Sequence, residues 1–138
     1  MGLYLCILDT EEEEIDGVEI GMYEDYGHFL ETITRVLENG IKGSRFPLLT
    51  LHSDCDGEWT PEECKVLLPQ LGEISEAMRR EKFISYKADW QKNLASTLGL
   101  KALTLYDSFI DVDGEPLLER MEKLTKVAID HNLPILFQ

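Results

Sequence analysis

Basic side chains are scarce in this sequence. Its 138 residues include 13 Lys and Arg against 27 Asp and Glu, so the formal net charge is −14 at pH 7. Proteins that bind nucleic acid by neutralising phosphates, or that bind anionic membrane surfaces, need a basic face. The composition therefore excludes nucleic acid and membranes as partners and leaves basic proteins and hard cations.

The sequence also lacks the features of an exported or membrane-spanning protein. No apolar run approaches the roughly 20 residues that a membrane-spanning helix needs, and residues 1–6 have no basic export signal. The 3 cysteines are too few, and odd in number, for a disulfide framework. We therefore predict a reduced, cytoplasmic protein. Because 138 residues fit one domain and leave no room for two, residues 1–138 are predicted to form a single domain.

Catalytic motifs are missing as well. None of the 3 histidines stands in a nucleophile elbow or an HExxH motif. No glycine-rich loop is followed by the lysine and hydroxyl residue of a P-loop. The sequence thus predicts a non-enzymatic protein without a cofactor. A hydrolase that uses His52 with Asp54 or Asp56 is the least favoured alternative.

Hydrophobic periodicity predicts alternating strands and helices. Short apolar runs bounded by turn residues indicate strands, and apolar residues at helical spacing indicate helices. Residues 99–110 fit both patterns and receive no assignment. The result is a small α/β or α+β domain with a mixed sheet of about four strands and about four helices. The predicted strands are 3–8, 17–21, 46–51 and 133–138, and the predicted helices are 26–37, 60–78 (kinked or interrupted at Pro69), 90–98 and 113–132.

The acidic segment at residues 52–63 resembles a calcium-binding loop. Asp54 and Asp56 fall on positions 3 and 5, and Glu63 falls on position 12, where calcium loops have a bidentate glutamate. However, position 1 is His52, and imidazole is a poor ligand for a hard cation. A calcium- or metal-binding regulatory module is therefore the alternative function. Its candidate ligands are Asp54, Asp56, Glu58 and Glu63.

The same segment is also a candidate protein-binding surface. Acidic residues are concentrated in the first half of the chain, where residues 1–69 hold 16 acidic and 4 basic side chains. Carboxylates attract a basic partner and tryptophan often anchors an interface. The alternatives are that Trp59 belongs to the core and that residues 11–14 form a solvated turn, separate from this surface. The candidate partner-binding residues are Asp54, Asp56, Glu58, Trp59, Glu12 and Glu13.

Several longer segments resemble a known family. The resemblance extends over almost the whole chain and includes both ends. These segments are similar to immunity protein family 70 of bacterial polymorphic toxin systems. They are MGLYLC at residues 1–6, DGVEIG at 16–21, GSRFP at 43–47, HSDCDGEW at 52–59, FIDVDGEPLLER at 109–120 and LPILFQ at 133–138.

The resemblance implies a small cytoplasmic protein that binds and neutralises a cognate toxin domain and so protects the producing cell. It supplies no catalytic residues and no set of toxin contacts. Many such toxins act on nucleic acids with basic clefts. We therefore expect an acidic inhibitor that covers the active or substrate-binding surface of a basic toxin domain, such as a nuclease. The sequence does not predict an oligomeric state.

Overall fold

The computed structural model describes residues 2–138. These residues form four β-strands, five α-helices and one 3-10 helix, a single small mixed α/β domain. The predicted fold class is therefore confirmed. The elements in chain order are β1 (Gly2–Leu8), β2 (Glu14–Met22), α1 (Tyr23–Leu37), α2 (Pro47–Thr50), β3 (Glu58–Trp59), α3 (Pro61–Arg79), α4 (Asp89–Leu98), the 3-10 helix (Leu105–Ser108), α5 (Leu117–His131) and β4 (Ile135–Phe137).

The strands form one antiparallel sheet in the order β2-β1-β4-β3. β4 lies between β1 and β3, with Phe137 opposite Leu5 and Ile135 opposite Trp59. Because β1 and β3 both run antiparallel to β4, they run in the same direction. The turn that follows β1 and the loop that precedes β3 therefore lie at opposite ends of the sheet.

The core lies between the sheet and the long helices. Leu3, Leu5 and Ile7 on one face of β1 are fully buried, and Cys6 on the other face is 1 % exposed. Burial on both faces explains the unbroken apolar run in this strand. α3 packs against α5, and their buried leucines include Leu67 and Leu124. Burial of each such side chain contributes about 1.5–3 kcal/mol.

The strand predicted at residues 46–51 is wrong. The segment instead forms the short helix α2, and the third strand is β3 at Glu58–Trp59. Pro47 occupies the first turn of α2, where its fixed φ and missing N–H favour a helix. The preceding N–H group, of Phe46, donates to the buried Glu38 carboxylate at 2.9 Å and is unavailable to a sheet.

The other elements agree with the sequence patterns, with one exception. α3 begins with the predicted capping box, in which Thr60 and Glu63 exchange hydrogen bonds of 3.0 and 3.1 Å. Of the kink or interruption predicted at Pro69, the interruption is wrong, because α3 continues through Pro69 to Arg79; the kink stays a prediction. Residues 99–110, which had no assignment, contain the 3-10 helix and otherwise irregular backbone.

α4 makes little contact with the other helices and strands. One such contact is the indole N–H of Trp90, which donates to the Asp25 carboxylate at 3.0 Å. The same carboxylate oxygen accepts the backbone N–H of Met22 at 2.9 Å. Asp25 thus links the start of α1 to α4.

Removing this link should loosen α4. We expect Trp90→Phe to keep an aromatic ring but lose the hydrogen bond, which costs about 1 kcal/mol. Because α4 has little other contact with the helices and strands, amide hydrogen exchange in residues 89–98 should accelerate. Exchange in α3 and α5 serves as the internal control and should stay unchanged. Unaltered exchange in α4 would show that other contacts hold this helix.

Candidate partner-binding surface

The loop at residues 52–58, here called the acidic loop, is anchored by His52. The imidazole stacks on Phe137, with ring centroids 4.2 Å apart and an interplanar angle of 22°. Its Nδ1 lies 2.7 Å from the Ser53 carbonyl oxygen, and its Nε2 lies 2.9 Å from the Glu58 carbonyl oxygen. Both partners are acceptors, so a protonated ring nitrogen donates to the loop backbone at either position. The acidic loop is therefore tied to the end of the sheet.

The acidic loop presents its carboxylates outward. Asp56 and Glu58 are exposed, and Asp54 is partly exposed. Gly57, between the two exposed carboxylates, has a φ of 86°, a conformation that favours glycine. These three carboxylates were predicted as partner contacts, and the structure places all of them at one end of the sheet.

Trp59 lies in the core. Its exposed fraction is 1 %, and it is the largest fully buried side chain among residues 2–138. The indole Nε1 donates to the Leu48 carbonyl oxygen at 2.8 Å. The ring packs edge-on against Phe137, with centroids 4.7 Å apart. In this structure Trp59 supports the acidic loop from beneath and presents no surface to a partner.

Glu12 and Glu13 lie at the other end of the sheet. They belong to the turn between β1 and β2, in which the Asp9 carboxylate accepts the N–H groups of Glu11 and Glu13 at 2.8 and 2.9 Å. Both glutamates are exposed. The direction of the strands separates them from the acidic loop, so they do not extend its patch of carboxylates.

The geometry gives no support to the calcium-binding alternative. Glu63, the expected bidentate ligand, has its carboxylate in the capping box of α3, where it accepts the Thr60 N–H. Asp54, Asp56 and Glu58 do not converge with it. Among residues 2–138, no group of three or more His, Cys, Asp and Glu side chains is arranged to hold a metal ion.

A groove of about 980 Å³ lies beside α1 and was not foreseen from the sequence. It runs between the solvent-facing side of α1 and the segment at residues 40–54; we call it the α1 groove. Two residues named in the sequence analysis line it, His52 and Asp54, so the α1 groove adjoins the acidic loop. Its charged lining residues are Glu24, Glu31, Asp54, Arg35, Lys42 and Lys87.

Burial and charge affect two side chains near this groove. Burial lowers the pKa of His28, and the nearby Lys87 and Arg35 lower it further. The His28 ring also packs 5.6 Å from the Phe109 ring. Burial, together with the charge of Asp54, raises the pKa of Tyr26, whose hydroxyl has no hydrogen-bond partner in the described chain. Neutral forms of both rings are thus favoured beside the groove.

Gly27 lies in the second turn of α1 and lines the groove. A glycine inside a helix costs about 0.5–1 kcal/mol relative to alanine. A Cβ at this position would meet no atom within 4 Å, so the fold does not require glycine there. This glycine inside the helical pattern is the sequence signal that could have drawn attention to the groove.

Comparison with family models identifies the family. The model described as Immunity protein 70 matches residues 3–137. The chain belongs to the immunity protein 70 family. The match extends from β1 to β4 and includes both the acidic loop and the α1 groove. Comparison with curated proteins and with solved structures finds no match.

Membership of the immunity protein 70 family confirms the resemblance inferred from the sequence. The family name implies an immunity protein directed against a toxin, and such families are generally non-enzymatic. None of the helices between Gly2 and Gln138 has the length and the hydropathy that a membrane span requires.

Proposed function

We propose that this chain binds a cognate toxin domain in the cytoplasm and neutralises it by covering its active or substrate-binding surface. The observation that carries the proposal is the acidic loop, whose carboxylates face solvent while His52 and Trp59 hold it against the sheet. A loop held in this way loses little conformational freedom on binding, which favours affinity.

Charge favours a toxin with a basic cleft, such as a nuclease. The net charge of −14 attracts a basic partner over several ångströms of solvent and speeds association. Carboxylates at the tip of a loop can occupy positions that phosphates of a nucleic acid would take.

The association rate with the toxin should therefore fall markedly between low and high salt, because ions screen the attraction between charges over about 10 Å at 0.1 M. An on-rate that is insensitive to salt would contradict electrostatic steering.

Co-expression tests the proposed function directly. The chain is produced together with the toxin domain encoded beside its gene, and cell survival and co-purification are scored. Survival with a stable complex supports neutralisation by binding. Survival without a complex contradicts a binding mechanism, and death despite well-folded protein contradicts the pairing with this toxin.

Charge reversal tests the place of binding. We expect the double variant Asp56→Lys and Glu58→Lys to raise the Kd for the toxin at least tenfold, about 1.4 kcal/mol. Both side chains are exposed, so the melting temperature should stay near that of the wild type. The matched control, Glu12→Lys with Glu13→Lys, changes the net charge equally at the opposite end of the sheet. Equal weakening by both variants would contradict a specific role of the acidic loop.

A further inference from the structure

We propose that the α1 groove accepts a polypeptide segment of the toxin that carries both basic and acidic side chains and whose backbone packs against Gly27. The inference rests on the proposed function and names a second part of the same interface. Asp54 belongs to both the acidic loop and the groove lining, so the two surfaces are continuous.

The first argument is the position of Gly27. Glycine weakens a helix, and here neither a close contact nor a positive φ within the chain compensates for it. The absence of a side chain leaves open space on the wall of the groove. A glycine of this kind allows another backbone to approach the helix closely.

The second argument is charge. The lining contains three carboxylates and three basic side chains, yet none of the three ion pairs found among residues 2–138 involves any of them. Charges of both signs are thus available to an incoming partner. A nucleic acid carries only negative charge and would be repelled by the acidic members and by the whole chain. A polypeptide that places basic side chains opposite Glu31 and Asp54 and an acidic one opposite Arg35 satisfies both signs.

The third argument is the exposed apolar surface among the charged residues of the groove. Leu51 lines the groove and is 59 % exposed. Ile41, which lies between two lining residues in the sequence, is 66 % exposed. Apolar side chains surrounded by polar and charged ones are typical of protein–protein interfaces. The groove therefore combines an apolar contact, complementary charges and room for a backbone.

The test fills the groove and compares it with a matched site. Gly27→Leu places a side chain in the groove, whereas Gly72→Leu makes the same change in α3, where a Cβ also meets no atom within 4 Å. The probe is the purified toxin domain encoded beside the gene, inactivated in its catalytic site. We expect Gly27→Leu to raise the Kd at least tenfold and Gly72→Leu to change it less than twofold. Both variants should melt no lower than the wild type, because leucine favours helix over glycine.

A second variant addresses charge and does not depend on filling the groove. Arg35→Glu should raise the Kd at least fivefold at low salt and much less at high salt. If the wild type binds the toxin but Gly27→Leu and Arg35→Glu bind equally well, the groove proposal is overturned and the proposed function stands. If the wild type itself does not bind, both fail. Binding of a single-stranded oligonucleotide to the wild type, lost in Gly27→Leu, would also overturn the proposal.

Discussion

Replacing Trp59 with alanine should lower the free energy of unfolding by about 3–5 kcal/mol, the range for large aromatic side chains in a core. Trp59 is the largest fully buried side chain in the described part of the chain, and it packs against His52 and Phe137. Its removal leaves a cavity at the edge of the sheet. It also leaves the Leu48 carbonyl oxygen, which accepts the indole N–H, without a hydrogen-bond donor. Urea denaturation followed by circular dichroism measures the loss.

Trp59→Phe is a milder change at the same site. It retains an aromatic ring but loses the N–H group and leaves a smaller cavity, so we expect a loss of at least about 1–2 kcal/mol, below that of Trp59→Ala. Toxin binding by Trp59→Phe should stay near the wild-type level, because the indole is not at the surface. If Trp59→Ala instead unfolds like the wild type but no longer binds the toxin, Trp59 is an interface residue, as the sequence alone suggested.

Replacing Glu38 with glutamine should destabilise the protein by about 3 kcal/mol, because bonds to a buried charge are lost. Glu38 is 2 % exposed at the end of α1. Its Oε2 accepts the N–H groups of Arg45 and Phe46 at 3.1 and 2.9 Å, and its Oε1 accepts the Thr34 hydroxyl at 2.9 Å. An amide has only one acceptor atom. Its oxygen can accept the two N–H groups only if its NH2 group faces the Thr34 hydroxyl, and all of these bonds then lose the assistance of the negative charge. Chemical denaturation measures the difference.

Glu38 should also affect how the free energy of unfolding falls at low pH. Burial alone would raise its pKa, but the N–H groups of Phe46 and Arg45 outweigh burial, and the pKa lies below its usual value of 4.5. The unfolded state therefore binds the proton more readily. The contribution of Glu38 is complete above about pH 4.5 and is lost as the pH falls through the folded-state pKa. Stability of Glu38→Gln should depend less on pH in that acid range than stability of the wild type.

A surface carboxylate provides the control for Glu38. Glu73 pairs with Arg45, but both side chains are about half exposed. Exposed ion pairs contribute roughly 0–1 kcal/mol, so Glu73→Gln should change stability little. If it destabilises as strongly as Glu38→Gln, the contacts of Arg45 rather than the buried carboxylate organise residues 38–50.

The elements that the sequence predicted well are those whose pattern is local. The apolar run of β1 and the capping box at Thr60 each follow from neighbouring residues. The segment at residues 46–51 was misjudged because a short apolar run fits a buried strand and a helix equally well. Its helical state depends on Glu38, which accepts two N–H groups from the start of this segment. Such a contact across a short loop leaves no periodicity in the sequence.

In the candidate site, too, the sequence predicts the features that depend on neighbouring residues and does not predict those that depend on contacts between separate parts of the chain. That Asp56 and Glu58 face solvent follows from their charge and their turn. The burial of Trp59 depends on Leu48 and Phe137, which come from two other parts of the chain. The separation of Glu13 from the acidic loop depends on the strand order, which turn and strand patterns do not encode. The sequence pattern does not predict the α1 groove, because the polar face of a helix has the same pattern of polar residues whether or not another segment lies beside it.

The position of β4 determines when a newly synthesised chain can complete its sheet. Residues 135–137 are translated after every other element, yet they join β1 to β3 in the middle of the sheet. While the ribosome still holds them, β3 and the acidic loop behind it have no neighbouring strand. Pairing of the first strand with the last is also a contact between distant residues, which slows folding. A newly made chain therefore completes its sheet, and with it the proposed toxin-binding face, only after translation has passed residue 137. Under the proposed function, protection would lag behind synthesis by that interval.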